Sequence, residues 1–187
     1  MEALIPILCE KYGVSPELIA LLLSRMEKKS YRYHDIVIGL QERKQYYYII
    51  NEGIWRAYRL FDGEERTLWF ERYGDILYSE ASEDYIIESI SDSSAYVISK
   101  TDLDAFCEES HEISNLVRTV LEQYYFQITE WLVMLCQPTA RARYLTVLKK
   151  DPEVFQLVPQ KYIASCLGMT PQSLSRIRRQ LVKQNIS

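Results

Sequence analysis

The chain has only two histidines, His34 and His111, and its four cysteines, Cys9, Cys107, Cys136 and Cys166, lie far apart. No CxxC pair and no HxH or HExxH spacing occurs, so the clustered ligands of a zinc or iron–sulfur site are missing. Disulfides are not expected in a reducing compartment, and Cys166, late in a predicted helix beside Leu167, reads as a buried free thiol. There is no run of 18 apolar residues, which excludes a helical membrane span. The N-terminal stretch MEALIPILCEKYG lacks the basic start and long apolar core of a signal peptide. A cytoplasmic location is therefore expected, with no cofactor. Internal repeats and low-complexity segments are also lacking.

What the chain does have is core-forming material and an uneven charge. Its 187 residues, 48% of them hydrophobic, suffice for one large domain or two small ones. The net charge of −4 conceals two opposed blocks. Residues 138–187 hold nine Lys or Arg against Asp151 and Glu153, a net +7, which leaves 13 basic and 24 acidic residues, net −11, in 1–137. A basic block on an acidic chain is the electrostatic footprint of a module that meets phosphate.

Periodicity divides the chain further. Residues 1–30 read as helical through Leu4, Ile7, Leu8, Leu18, Ile19, Leu22 and Met26, with Ser15 as a cap before Pro16. From about Tyr31 the period changes. Strands are predicted at Tyr46–Asn51, Ile54–Phe61, Glu65–Phe70, Tyr85–Ile90 and Ala95–Ser99, with turns at Gly53, Asp62-Gly63 and Gly74-Asp75. Short strands at regular spacing predict a closed or sandwiched antiparallel sheet such as a jelly roll. Asp102 or Asp104 starts a helical piece. A long helix then follows, with Ile113, Val117, Val120, Tyr124, Ile128, Trp131 and Leu135 recurring every three or four residues. Leu116, Leu121 and Leu132 widen that stripe, so one face can pack on the β-domain and another on a partner helix. Pro138 breaks the pattern, and Arg141–Lys149 begins the basic block.

The most informative segment is PQKYIASCLGMTPQSLSRIRRQL, Pro159–Leu181. Ile163, Ala164 and Leu167 give one helix an apolar stripe, and Leu174, Ile177 and Leu181 give a second helix another. Gly168 supplies the positive φ of a sharp helix exit, Thr170 the N-cap, and Pro171 the first helical position. With the stripes packed together, Gln172, Ser173, Arg176 and Arg179 face outward, as in a helix–turn–helix that enters the major groove.

This order of elements resembles the Crp/Fnr superfamily of bacterial transcription regulators. VPQKYIASCLGMTPQSLSRIRRQL (Val158–Leu181) and GIWRAYRLFDGEERTLWFERYGDI (Gly53–Ile76) are similar to the subgroup found in Bacteroidetes-type bacteria. The resemblance implies an α+β fold in three parts. Residues 1–110 would form a cyclic-nucleotide-binding-like β-roll with flanking helices, residues 111–137 a dimerisation helix, and residues 138–187 a helix–turn–helix domain. It implies a homodimer through residues 113–135, a roughly palindromic duplex operator with half-sites about 34 Å apart, and RNA polymerase as a further partner. Carried onto this chain, the recognition positions are Pro171, Gln172, Ser173 and Arg176. Arg176 matches guanine and Gln172 matches adenine. Lys161, Thr170, Arg178 and Arg179 fall to phosphates.

Two departures accompany the resemblance. Cyclic-nucleotide binders of this family pair the phosphate with an arginine, yet GDILYSEASEDYIIESI (Gly74–Ile90) contains no Arg or Lys and carries Asp75, Glu80, Glu83, Asp84 and Glu88. An anionic phosphate there would meet like charge, so cyclic AMP bound in the usual way is not expected. A pocket for any other effector would draw on Gly74, Asp75, Tyr78, Glu80 and Thr129. The β-wing that commonly follows the recognition helix is expected to be absent or truncated.

Blander readings exist for several of these residues. Tyr46, Tyr47 and Tyr48 alternate sides along a strand, so packing explains them better than ligand stacking does. Glu80, Glu83 and Asp84 lack the histidines that a cupin-like metalloenzyme needs, and catalysis is not expected. The alternative from another class is a small-molecule sensor or adaptor whose helical tail contacts protein and not DNA.

Overall fold

The computed structural model describes residues 3–40, 45–79 and 85–184. Helix α1 (Leu4–Tyr12) buries Leu4, Leu8 and Tyr12, spaced one turn apart, and stops at Gly13. Helix α2 (Pro16–Ser24) opens as expected, with Pro16 in its first turn and Ser15 Oγ accepting from Leu18 N at 3.2 Å. The helical reading of 1–30 then fails. Glu27–Tyr31 is strand β1, paired antiparallel with β8 from Glu27 opposite Val97 to Tyr31 opposite Ser93. Its charged, alternately exposed residues suit a sheet edge, and cross-strand pairing overrides their helical propensity.

The remaining strands are β2 (Ile36–Ile38), β3 (Tyr46–Glu52), β4 (Ile54–Phe61), β5 (Glu64–Arg72), β6 (Ile76–Ser79), β7 (Ile86–Ser89) and β8 (Ser93–Ser99). They form two antiparallel sheets ordered β1-β8-β3-β6 and β2-β7-β4-β5, the jelly-roll arrangement expected from the sequence. Strands β2 and β6, of three and four residues, are too short to announce themselves by alternation. The Asp62-Gly63 turn joins β4 to β5 with both residues at positive φ, +52° and +80°, which matches the twist of the hairpin. Between the sheets Tyr48, Ile50, Trp55, Leu77, Ile87 and Val97 make a closed core. Tyr31 and Tyr48 stand edge-on to the Trp55 ring, whose Nε1 donates to Ser93 Oγ at 2.8 Å.

A second core lies outside the roll, where α1, α2, α3 (Lys100–Glu109) and the start of α4 cover Ile49, Tyr96 and Ile98. Helix α3 opens at Ser99, whose Oγ accepts from Asp102 N at 3.0 Å, and not at Asp102 or Asp104. Helix α4 (His111–Leu135) is 25 residues long. The apolar residues along it, most of them from the predicted stripe, divide between two faces, while Tyr124 of that stripe is half-buried in a groove it lines with Glu71. Ile113, Leu116, Val117, Val120, Trp131 and Met134 pack inward on the chain's own cores. Leu121, Tyr125, Ile128, Leu132 and Leu135 stay exposed and recur at spacings of four and three.

Helices α5 (Ala140–Lys150), α6 (Val154–Leu157), α7 (Gln160–Cys166) and α8 (Pro171–Gln184) complete the chain. Their core is shared with the roll, since Ile54, Phe70 and Ile90 pack into it beside Met134 of α4.

Candidate nucleic-acid interface

Helices α7 and α8 form the predicted helix–turn–helix. Ile163, Ala164 and Leu167 are buried against Leu174 and Ile177. Gly168 takes φ +64°, its N–H bonding back to Ser165 O at 3.0 Å while Met169 N reaches Ala164 O at 2.9 Å, so the chain leaves α7 by a tight left-handed turn. Thr170 Oγ1 accepts from Ser173 N at 3.2 Å, which satisfies one orphan donor of the α8 first turn. Pro171 then begins the helix.

Gln172, Arg176 and Arg179 are exposed, and at 100° per residue they fall within a sector of about 60° opposite Leu174 and Ile177. Neither Arg176 nor Arg179 has an ion-pair partner among the described residues. Ser173 is half-buried beside the cap, with its Oγ accepting from Thr170 Oγ1 at 3.1 Å. Arg178 lies on the flank of α8. It is close enough to the buried Tyr144 that its charge opposes the burial raising that phenol's pKa. Lys161, on the exposed side of α7, holds its ammonium 4.5 Å from the Tyr162 ring. Three of the predicted residues thus share one outward face of α8, Ser173 and Arg178 flank it on the same helix, and Lys161 is exposed on α7.

Charge counting alone missed how much of the basic block is already engaged. Arg143 donates to Leu167 O at 2.8 Å, Gln137 O at 3.0 Å and Gly168 O at 3.5 Å. It ties the α7–α8 turn to the segment that follows α4. Lys150 pairs with Glu130 of α4, and Asp151 takes Arg72 of β5 at 2.8 Å.

Of the four proposed effector residues that are described, only Asp75 and Thr129 come to one place. Gly74 and Asp75 form the turn between β5 and β6, where Lys11 Nζ reaches Asp75 Oδ1 at 2.8 Å and Gly74 O at 3.3 Å. Tyr78 stacks on Tyr47 at 4.6 Å, outside the roll and toward α3, because its neighbour Leu77 takes the inward position. Thr129 is exposed on α4 with its hydroxyl donating to Tyr125 O at 3.0 Å. Asp75 and Thr129 line one groove of about 810 Å³ between β5, α4 and the C-terminal helices, which neither Gly74 nor Tyr78 lines. Glu80, Glu83 and Asp84 lie outside the described residues.

A buried ion cluster in the roll went unread in the sequence. The Arg56 guanidinium, 2% exposed on β4, bonds Glu65 Oε2 at 2.7 Å and Glu88 Oε2 at 3.0 Å. Burial works against its charge, but the two carboxylates outweigh it and leave the pKa above the ordinary arginine value. Tyr58 covers one side of the guanidinium at 4.3 Å and Tyr162 of α7 covers it at 3.9 Å. The available signal was a charged residue flanked by Trp55 and Ala57 inside a strand. Among the described residues no group of three or more His, Cys, Asp or Glu could hold a metal ion, and no helix is long and apolar enough to cross a membrane.

These elements define a class, a jelly roll joined by a long helix to a helix–turn–helix. The chain has the Crp/Fnr-type fold. FixK2 from Bradyrhizobium japonicum superposes with a TM-score of 0.73 at 24% identity, over 86% of this chain and 86% of that one. A CooA mutant from Carboxydothermus hydrogenoformans gives 0.72 at 18% identity, over 87% and 79%. The c-di-GMP responsive global regulator CLP of Xanthomonas campestris gives 0.70 at 15%, over 91% and 93%. No family model matches the sequence, and no curated protein matches it either.

Proposed function

We propose that this chain is a sequence-specific DNA-binding transcription regulator that acts as a homodimer in the cytoplasm and not as an enzyme. One observation carries the reading: a capped helix presents Gln172, Arg176 and Arg179 on one exposed face. An α-helix fits the major groove, an arginine fork matches guanine O6 and N7, and a glutamine amide matches adenine N6 and N7. Thr170, Lys161, Arg178 and Arg179 contribute phosphate contacts, which set register and affinity.

The dimer reading rests on the exposed seam of α4. Leu121, Tyr125, Ile128, Leu132 and Leu135 stand outward at heptad spacing, an apolar row that a second copy of the same helix would cover. A parallel pair places each seam residue opposite itself. Leu132→Cys should therefore give a disulfide-linked dimer under oxidation, whereas Leu132→Glu should shift the protein to monomer in sedimentation. Cyclic AMP in the family's usual pose is not the effector. The one buried guanidinium described in the roll, Arg56, points at α7 and is already paired.

The test is selection of bound fragments from a random duplex library, with Arg176→Ala alongside. A palindrome recovered by the wild type that loses one preferred base pair in the variant supports the reading. No enrichment by the wild type at either low or moderate salt counts against it.

A further inference from the structure

Strand β5 carries a bulge at Leu68. Trp69 opposes Ala57 and Thr67 opposes Tyr58, so Leu68 has no partner on β4. A bulge interrupts the ladder and leaves backbone groups that still need partners. Here the partners come from the helix–turn–helix. Thr67 N donates to Ser165 Oγ at 3.0 Å, and Cys166 Sγ donates to Leu68 O at 3.3 Å. Burial raises the Cys166 thiol well above its ordinary pKa, which keeps it a donor. One turn earlier, Tyr162 closes over Arg56.

Tyr162, Ser165 and Cys166 stand at i, i+3 and i+4, and so share one face of α7. Ile163, Ala164 and Leu167 turn to the other side and pack with Leu174 and Ile177 of α8. Helix α7 is therefore a two-sided wedge with the roll on one flank and the recognition helix on the other.

We propose that Arg56 and the Leu68 bulge form a seat that positions the recognition helix, fixing α7, and through it α8, directly to the roll. This rests on the DNA-binding reading of α8. The recognition helix is then held by two routes, the covalent one through α4 and the non-covalent one through β5. In a dimer, two seated recognition helices keep a single separation. Moving a half-site by one base pair displaces it along the axis and around it, and a seated helix does not follow.

The test uses the full chain with Tyr162 and Ser165 replaced, Tyr162→Leu with Ser165→Ala, which leaves Arg56 paired with both carboxylates. Ser165→Ala alone serves if the double variant does not fold. Amide exchange at Thr67 reads the seat without DNA, and it should accelerate about tenfold or more. Competition between the selected operator and versions with half-sites one base pair closer or farther reads positioning. The wild type should discriminate about tenfold or more, and the variant about threefold or less, at an unchanged salt slope. Unchanged Thr67 exchange, or full spacing discrimination kept by the variant, overturns the proposal. A wild type that binds no duplex while Thr67 exchange still responds removes the DNA reading and the positioning role with it, leaving only a domain contact.

Discussion

In the β-roll, Arg56 lies at 2% exposure between two carboxylates and two tyrosine rings. On α8, Arg176 and Arg179 stand in water with no ion-pair partner among the described residues. The same side chain is structural in one place and available in the other, and the sequence writes both as R. The difference is set by what surrounds each. A desolvated cation must be matched by anions and hydrogen bonds, and once matched it has nothing left for a ligand. A cation with water on every side retains all five donors for phosphate or base edges. Net +7 on residues 138–187 therefore does not say which charges face a partner, because Arg143 and Lys150 are committed within the protein and Asp151 is committed to Arg72.

The comparison breaks most sharply under stability measurements. Arg56→Met leaves Glu88 buried without its guanidinium, with only the His34 ring at 3.2 Å, and should cost about 3–5 kcal/mol, while Arg176→Ala should stay within about 0.5 kcal/mol of wild type. Urea unfolding followed by tryptophan fluorescence measures both. Equal midpoints for the two variants would mean that the ion cluster does not hold the roll. Under DNA binding the order reverses. Arg176→Ala should lose about 1–3 kcal/mol and relax preference at a single base pair. Uniform loss across all sequences would instead demote Arg176 to a phosphate contact.

Thr170→Ala sharpens the helix–turn–helix side of the contrast by a smaller amount. Removing the acceptor for Ser173 N should cost about 1 kcal/mol of stability, with Thr170→Asn recovering most of it. A variant with an unchanged midpoint would show that the α8 first turn is held by packing alone.

Legibility followed the same division. The helix–turn–helix was readable because local signals state it: Gly168 for the exit, Thr170 and Pro171 for the entry, and apolar residues at helical spacing between. The Asp62-Gly63 hairpin was readable for the same reason. What could not be read depends on residues distant in sequence. Strand β1 exists because β8, some 66 positions later, supplies its hydrogen bonds. The partners of Arg56 come from Glu65, Glu88 and Tyr162 on three other elements. The stripe on α4 was visible as a stripe, but only the packed cores show that its Leu121, Ile128, Leu132 and Leu135 face outward, and that Tyr125, which the stripe left out, faces outward with them.

The subtlest contrast lies within the roll itself, between Arg56 and Glu71. Both are buried, but Glu71 on β5 is not matched in the same way. Burial raises its pKa well above the ordinary 4.5, the Asp75 carboxylate adds to that, and Lys11 only partly opposes it. Below pH 4.5 both folded and unfolded chains hold this proton. Above it the unfolded chain releases the proton while the folded one keeps it, so stability falls as pH rises toward the folded value. Glu71→Gln has nearly the same shape and no proton to lose. At pH 4 it should unfold at the same urea concentration as wild type, and at pH 8 it should need more. Matching midpoints at both pH values would show that this carboxyl ionises normally despite its burial, and that Lys11 serves Glu71 as Glu65 and Glu88 serve Arg56.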